Sequence, residues 1–588
     1  MHRTKPQKLR QVLRDRRIVL ALCLISLASP LHAAARLRVE IEGVRRELER
    51  NIRSVLSLEQ TGKSELTAAR IRRLYAKAPA EIGEALQPFG YYKPVVRSEL
   101  KQEGEQWTAR FDVDAGPPVK VAGVDVRILG AGSADPRFRE LAERFPVKQG
   151  DVLSHPDYEE GKRALENLAS AEGYLDAAFQ THEVRVDLRR YRADVILHFD
   201  TGPRYRFGEV RFHQDVLDPR LLTGYITFKR GEPLDVNKLL AMQNALSDSP
   251  YWSRVEVVTR QEEAQGLQVP IEVNLTPAKT MRFSGGVGYG TDTGPRVRGA
   301  WDLRRLNRHG HRGEAEVIVS GIERSVKLSY LIPRAYPHTD TLALNAAYAR
   351  EITETSDSDT GLLGAQVTQL RGGWHESYSL AFQRENFEVG LDKGTSNLLV
   401  PGVSLERVQA DDRIFTTNGY RLRFGLQGAE ASLLSDASFL RGDLQAKIIR
   451  TVGGRNRIIG RGEVGYTATD DFRELPPTFR FFAGGDSSIR GFAFRSLGRK
   501  DEAGNVIGGE ALLVGSLEYE VRFLDKWGAA VFYDAGFAAR DFNGSLDRGA
   551  GFGLRWRSPI GPIRADLAWA LTEEGRPLRF HLNIGPDL

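Results

Sequence analysis

From about residue 280 to its end the sequence alternates between apolar and polar side chains, and one of the two faces repeatedly carries arginine. Within residues 512–523, Leu513, Gly515, Leu517, Tyr519, Val521 and Phe523 share one face; Leu512, Val514, Ser516, Glu518, Glu520 and Arg522 share the other. Within 419–427, Tyr420, Leu422, Phe424 and Leu426 oppose Arg421, Arg423, Gly425 and Gln427. Within 551–557, Phe552, Leu554 and Trp556 oppose Arg555 and Arg557. Period two is the repeat of a strand. An apolar face backed by an arginine-bearing face fits a transmembrane barrel, with lipid outside and water inside. A soluble sandwich would set the apolar face against a second sheet and has no use for such repeated inward arginines. After the leader, no stretch approaches 18 uninterrupted apolar residues, so helical spans are not expected.

Sixteen strands are expected, starting near Met281, Arg296, Arg312, Glu323, Thr341, Leu362, Glu376, Leu398, Gly419, Ala437, Asn456, Glu510, Trp527, Gly549, Pro562 and Leu578. This leaves about 19 residues for each strand and turn, against roughly 10 for a spanning strand. An even number puts both ends of the barrel on one side. With the N-terminal half in the periplasm, the odd-to-even connections are external, including an acidic one over 351–361 and the longest, near 470–509.

Glycine divides the chain: residues 1–279 hold 17 and residues 280–588 hold 42. The first part repeats itself. Phe89-Gly90-Tyr91-Tyr92 is echoed by Glu172-Gly173-Tyr174-Leu175 and, more loosely, by Pro250-Tyr251-Trp252. Asp114-Ala115-Gly116-Pro117 is echoed by Asp200-Thr201-Gly202-Pro203, with a weaker Thr276-Pro277 before the barrel. Each unit reads as a strand, two helices and two strands. In the second unit these are a strand over 124–129, a helix over 155–171, and strands over 178–188 and 192–199. The expected organisation is a signal peptide at 1–33, modules at 36–116, 117–203 and 204–279, and the barrel at 280–588.

The leader is read from a basic start, an apolar run over 18–28, Pro30 and Ala33-Ala34-Ala35. The formal charge of +6 belongs to it: 1–33 holds seven basic residues and one acidic, leaving 76 of each sign in the remainder. A neutral mature chain gives no support to nucleic-acid binding. The single cysteine, Cys23, lies in the apolar run, so the mature chain is expected to form neither a disulfide nor a cysteine metal site. Leu22 stands where a lipoprotein site wants a small residue.

Within the longest external connection, Gly484-Gly485-Asp486-Ser487-Ser488-Ile489-Arg490-Gly491-Phe492 resembles the loop-six (V/I)RG(F/Y) element of the POTRA-barrel outer-membrane assembly factors. It falls between the eleventh and twelfth expected strands, where that loop belongs. Val531-Phe532-Tyr533-Asp534-Ala535-Gly536 resembles the family's strand-13 Asp-x-Gly element, and Gly508-Gly509-Glu510 and Ser558-Pro559-Ile560-Gly561-Pro562 are further matches. The resemblance covers about 36–588. Three modules, and the ending His581-Leu582-Asn583-Ile584-Gly585-Pro586-Asp587-Leu588, are similar to the TamA type within that superfamily. The resemblance implies α+β periplasmic POTRA modules followed by an all-β 16-stranded transmembrane barrel. It implies a non-enzymatic role in assembling outer-membrane proteins such as autotransporters, with a TamB-like inner-membrane partner and outer-membrane lipids around the barrel. A link to phospholipid transport is a second implication, and a two-partner-type secretion pore is the rival. That rival needs a plug helix before the first module, and Arg36 stands almost at the expected cleavage site.

Two sites follow. Alternation places Asp534 with Phe532 and Gly536 on the lumen face, and a buried carboxylate there needs a partner. Arginine offers a rigid fork that a carboxylate accepts in two places. Arg490 is the expected donor, Glu518 a second acceptor, Gly491 the turn that brings the loop in, and Phe492 an interior anchor beside Ile489; the family docks this arginine on the same aspartate. The second site is the seam between first and last strands. Gly285, Gly286, Gly288 and Gly290 loosen the first, and Gly585-Pro586 ends the last without an N–H at Pro586. Phe283 or Gly285 is expected within bridging reach of Leu582 or Ile584. No catalytic constellation, cofactor or metal is expected. Gly286-x-Gly288-x-Gly290 has no helix after it, His309 and His311 sit in a polar turn, and Asp357 and Asp359 read as solvated loop acids.

Overall fold

The computed structural model describes residues 36–60, 67–559 and 561–585; the leader with Cys23, and Pro586, lie outside the described residues. Three small sheets come first. Strands β1 (Arg36–Glu42), β2 (Val95–Glu103) and β3 (Gln106–Asp114) are ordered β1-β3-β2. Strands β4 (Lys120–Leu129), β5 (Ala178–Asp187) and β6 (Arg192–Asp200) are ordered β4-β6-β5. Strands β7 (Arg206–His213), β8 (Trp252–Thr259) and β9 (Gln268–Pro277) are ordered β7-β9-β8. In the first two sheets the opening strand is parallel to the central one. A parallel pair needs a long crossover, and helices supply it. In the first module they are Arg46–Val55, Ser57–Gln60 and Ala68–Leu86; in the second, Pro136–Glu143 and His155–Ala171. Side-chain caps start three of the helices: Thr67 Oγ1 accepts from the Arg70 amide, Asp135 from Arg137 and Ser154 from Asp157. The central strands alternate, so Trp107, Ala109, Phe111 and Val113 are buried, with Ile52, Ile82 and Leu86 packed on the last three from the helices.

The repeated Gly-Tyr positions form joints. Gly90 and Gly173 have φ of +84° and +79°. A Cβ on Gly90 would lie 2.8 Å from the Leu153 carbonyl oxygen, and one on Gly173 would lie 2.6 Å from that of Leu234. Their own carbonyls accept from Val119 N–H (2.8 Å) and Tyr205 N–H (2.9 Å). Each therefore sits where one unit meets the next, in a conformation glycine alone adopts without strain. The third repeat has no glycine there, but Tyr251 makes the next joint, donating its hydroxyl to the Gly310 carbonyl in the first periplasmic turn of the barrel.

The barrel strands are β10 (Met281–Gly290), β11 (Gly294–Leu303), β12 (Arg312–Val319), β13 (Glu323–Pro333), β14 (Thr341–Ile352), β15 (Ser356–Arg371), β16 (Trp374–Val389), β17 (Asp392–Ala410), β18 (Gly419–Ala429), β19 (Phe439–Val452) and β20 (Asn456–Thr469). After the loop hairpin β21 (Arg499–Lys500) and β22 (Val506–Gly508) come β23 (Ala511–Arg522), β24 (Trp527–Ala539), β25 (Asp547–Ser558), β26 (Gly561–Ala570) and β27 (Leu578–Ile584). Sixteen of these form one sheet in sequence order, every described neighbour antiparallel, as the alternation implied. Apolar side chains such as Leu517, Tyr519, Val531 and Tyr533 face outward, and Glu518, Phe532 and Asp534 face the lumen. Strand length is uneven: β17 has 19 residues and β27 has 7. The sixth and eighth barrel strands start at Ser356 and Asp392, each six residues before the expected start. The first four of the extra residues, Ser356-Asp357-Ser358-Asp359 and Asp392-Lys393-Gly394-Thr395, lack lipid-facing apolar alternation because they stand at the outer end. The expected acidic loop over 351–361 is thus a short turn between two strands; Asp357 pairs with Arg350 at 3.2 Å and Asp359 accepts from the Tyr348 hydroxyl at 2.8 Å.

The connection between β20 and β23, here called loop six, folds back into the barrel. Phe481, Ala483, Ile489 and Phe492 share a buried cluster with Leu512, Val514, Ala538 and Ala570 of the wall. Arg480 is enclosed between the rings of Phe387 and Phe472 and donates to Asp392 and to the carbonyls of Leu475, Arg473 and Ile507.

The joints make a direct prediction. Gly173→Ala places a side chain in a left-handed backbone, at about 1–2 kcal/mol, and against a carbonyl. Hydrogen exchange at the Tyr205 and Leu234 amides should accelerate about tenfold or more, while Phe111 and Val113 amides in the first sheet stay protected.

Candidate functional site: a docked loop and an open seam

Arg490 enters a socket on the lumen face of the wall from β23 to β26. Its Nε and Nη2 donate to the two oxygens of Asp534 on β24 (2.8 and 3.0 Å). Its Nη1 donates to Glu518 on β23 (2.7 Å) and to Asp566 on β26 (3.1 Å). The Arg490 amide also donates to Asp534 (3.0 Å), so backbone and side chain hold one carboxylate together. The guanidinium lies 3.4 Å over the Phe532 ring, a cation–π contact. Arg555 on β25 closes the network from the far side, donating to Glu518 (2.7 Å) and to Asp566. Two guanidiniums thus serve three carboxylates. Arg461 on β20 brings a third positive charge beside them and donates to the Ser488 carbonyl at 2.6 Å. Asp534 is wholly buried and Arg490 is 6% exposed. Charges so enclosed persist because each is paired and hydrogen-bonded.

Three glycines of β25 shape the bed of the loop. A Cβ on Gly549 would lie 1.9 Å from the Arg490 carbonyl oxygen. One on Gly551 would meet the Phe532 ring at 2.6 Å, and one on Gly553 would strike Asp566. They alternate along the lumen face, so the strand presents bare backbone where loop six lies. Gly491 itself, at φ +100°, rests with its Cα against the Trp569–Ala570 peptide of β26.

The structure therefore brings Arg490, Asp534, Glu518, Ile489, Gly491 and Phe492 together. Sequence reasoning missed Asp566, Arg461 and the part played by Arg555. Alternation had already put Arg555 on the lumen face; what it lacks is the ladder, in which Asp566 stands opposite Gly553, two residues from Arg555.

The seam differs from expectation. Among the described residues no ladder joins β10 to β27. The strands meet at the outer end, where the Leu582 amide donates to Thr291 Oγ1 (3.1 Å) and the Thr291 amide points at the Leu582 carbonyl (3.4 Å). Phe283 and Gly285 lie six to eight residues before Thr291, about 20–26 Å along the strand, and so do not face Leu582 or Ile584. The cause is the shortness of β27, which ends at Ile584 and leaves the lower part of β10 without a strand beside it among the described residues. Phe283 and Val287 are 74% and 87% exposed, and a Cβ on Gly286 or Gly288 would point into open space. Gly585 follows β27 and donates its amide to the Pro562 carbonyl on the side of β26, away from β10.

At the meeting point Asp292, Asp486 and His581 form a cluster whose ligand atoms lie close enough to suit a metal ion. The hydrogen bonds give it another occupant. The Gly491 amide donates to His581 Nε2 at 2.9 Å, so that nitrogen carries the lone pair. The proton is then on Nδ1, directed at Asp486. A cation would need that same nitrogen. In the turn after β10, burial and the nearby Asp486 charge push the Asp292 carboxyl up to about 6.

Comparison with known proteins agrees with this geometry. Residues 307–587 match the Omp85 superfamily domain, and residues 38–115 match the POTRA domain described as TamA domain 1. An outer membrane protein assembly factor BamA from Nitratidesulfovibrio vulgaris strain Hildenborough is 25% identical, over 93% of this chain and 72% of its own length. Another BamA, from Neorickettsia risticii strain Illinois, is 23% identical over 74% of this chain and 61% of its own length. A crystal structure of BamA from Haemophilus ducreyi lacking POTRA domains 1–3 superposes with a TM-score of 0.66 at 17% identity, covering 79% of this chain and 99% of that one, and so shares the fold. A barrel that matches the Omp85 superfamily domain, behind modules of which the first matches a POTRA domain, puts the strands in the outer membrane and the modules in the periplasm.

Two predictions follow from the site. Arg490→Ala and Asp534→Asn each break a buried pair, with a loss of about 3–5 kcal/mol. In a double-mutant cycle read by thermal unfolding and by proteolysis of loop six, the second substitution should add little to the first; simple addition would mean that the two do not pair. The second concerns pH. The raised Asp292 carboxyl adds stability below its ordinary range, and that contribution is lost as pH climbs through about 6. Asp292→Asn should therefore raise the melting temperature near pH 8 and leave it unchanged near pH 4.

Proposed function

We propose that this chain, which carries an Omp85 superfamily domain behind a POTRA domain, folds and inserts outer-membrane β-barrel proteins through the side of its own barrel. The carrying observation is the edge of β10. Between Met281 and Gly288 its N–H and C=O groups on the seam side have no strand partner among the described residues. Unpaired backbone is costly in hydrocarbon, and an incoming strand satisfies it by edge addition. Two features support the lateral route over export through the lumen. Loop six is packed into the lumen by its own apolar cluster and by the Arg490 socket. The glycines of β10 weaken the strand and so ease the exchange of its edge partner.

Within that function we propose a TamA-type role, in which the modules receive a TamB-like inner-membrane partner and the barrel receives autotransporter-class substrates. The match at 38–115 and the presence of three modules support it. Module edge strands β2, β5 and β8 offer further unpaired edges to partner segments.

A disulfide placed where the strands meet tests the route. Continuing the Thr291–Leu582 contact, Gly290→Cys and Asn583→Cys become neighbours, and a bridge forms when their Cα atoms are within about 7 Å. Oxidation should stop insertion of a β-barrel substrate into liposomes holding the purified chain, and a reductant should restore it. A control bridge between Leu517→Cys and Tyr533→Cys, paired on β23 and β24, should leave activity intact. Full activity with the seam bridged would transfer the route to the lumen and make the secretion-pore reading the better one.

A further inference from the structure

The seam's two hydrogen bonds do not stand alone. Thr291 Oγ1, which accepts from the Leu582 amide of β27, donates its own proton to the Asp486 carboxylate of loop six (3.0 and 3.1 Å). His581, the residue before Leu582, turns its ring into the barrel and is 4% exposed. Its Nδ1–H donates to the same carboxylate and its Nε2 accepts from the Gly491 amide. The Asp486 amide in turn donates to Asp292, in the turn between β10 and β11 (2.6 Å). Asp486 is thus the hub on which the first strand, its turn and the last strand all converge.

The hub is tied to the Arg490 socket in two ways. Arg490 and Gly491 are consecutive, so the residue that fills the socket fixes the amide that holds His581. In the ladder, His581 stands opposite Asp566, which also accepts from Arg490. Gly491 packs closely on β26, since a Cβ there would lie 2.7 Å from the Trp569 carbonyl carbon.

We infer that Thr291, Asp486 and His581 form a latch across the seam that couples closure of the barrel to the docking of loop six. β27 leaves β10 only by breaking both of its own bonds to Thr291 and the two bonds that His581 makes to loop six. Release of loop six conversely withdraws Asp486 from Thr291 and leaves the strands with a single pair of contacts. The bridge is the Nδ1 proton of a neutral histidine, not a cation. The inference rests on the seam being the gate for its consequence in function, but the coupling itself exists without substrate.

The test uses the full chain in liposomes with Cys23→Ser. Spin labels at Val287→Cys and Phe580→Cys, both on the outer face, report the seam by pulsed distance measurement. A label at Ser487→Cys, exposed beside Asp486, reports loop-six mobility. Because coupling between two sites is reciprocal, variants on either side must move both reporters, by at least about fivefold in the separated population. His581→Ala is expected to widen the seam and mobilise Ser487. His581→Gln, which keeps an acceptor and donors, is expected to restore part of both. Arg490→Ala, whose bonds go to β23, β24 and β26 and not to either seam strand, is expected to widen the seam as well. Heat-modifiability identifies folded barrels, and His581→Gln with Arg490→Ala carries the test if His581→Ala does not fold. A seam that widens while Ser487 stays fixed, or a loop freed by Arg490→Ala with an unchanged seam, overturns the coupling. Widening on addition of EDTA overturns the proton bridge. Movement of both reporters with insertion unchanged would count against the proposed function and leave the latch standing.

Discussion

A guanidinium cannot be taken into the interior of a protein unless carboxylates meet it there, and the organisation of this barrel follows from that requirement at Arg490. Glu518, Asp534 and Asp566 come from β23, β24 and β26, with β25 between the last two in the wall, so they converge only when β23 to β26 are paired in register. Arg555 and Arg461 then balance the charge. The socket reads out the fold of the wall and at the same time holds the central part of loop six inside the lumen. Much of what distinguishes this barrel from an open pore depends on that one side chain. Phe492 and Ile489 flank the docked arginine with apolar contacts, and Gly549, Gly551 and Gly553 clear the surface on which it lies.

The opposite side of the same network faces a different constraint. Backbone groups in hydrocarbon must be paired, yet β10 offers an edge that β27 does not cover among the described residues. The chain meets this by concentrating the closing contacts at the outer end, where Thr291, Asp486 and His581 share protons, and by leaving the lower edge free. The lock and the loop's hold on the last strand therefore fall on consecutive residues, Arg490 and Gly491. Strength in one place permits weakness in the other, because the barrel's closure is delegated to a loop that is itself firmly held.

The division between lipid face and lumen face was legible in the sequence, since period two is a local property. So were the sixteen strands and the docking of Arg490 on Asp534, once the loop motif was joined to the alternation of β24. Strand starts at Ser356 and Asp392 were read late because the outer ends of those strands leave the membrane and lose the apolar half of the pattern. The seam register was misread for a related reason. Alternation says which face a residue occupies but not how far one strand is staggered against another. Asp566, Asp292 and His581 carry no local pattern at all; they become partners through staggers summed around the whole sheet. The Gly-Tyr repeats were visible as repeats, whereas their use as joints required the neighbouring unit to be present.

The unequal strands have a consequence for the membrane itself. The seven residues of β27 extend about 24 Å at the rise of an antiparallel strand. With the usual tilt they cover about 18 Å of the bilayer normal, less than the roughly 25 Å apolar band of an outer-membrane barrel. The nineteen residues of β17 span it with length to spare. Hydrophobic mismatch is therefore built into one side of the wall. Lipids beside the seam must thin, tilt or disorder to meet the short strand, while those across the barrel need not. A newly arriving strand would meet a compressed and disordered patch of bilayer at the place where the unpaired edge is offered.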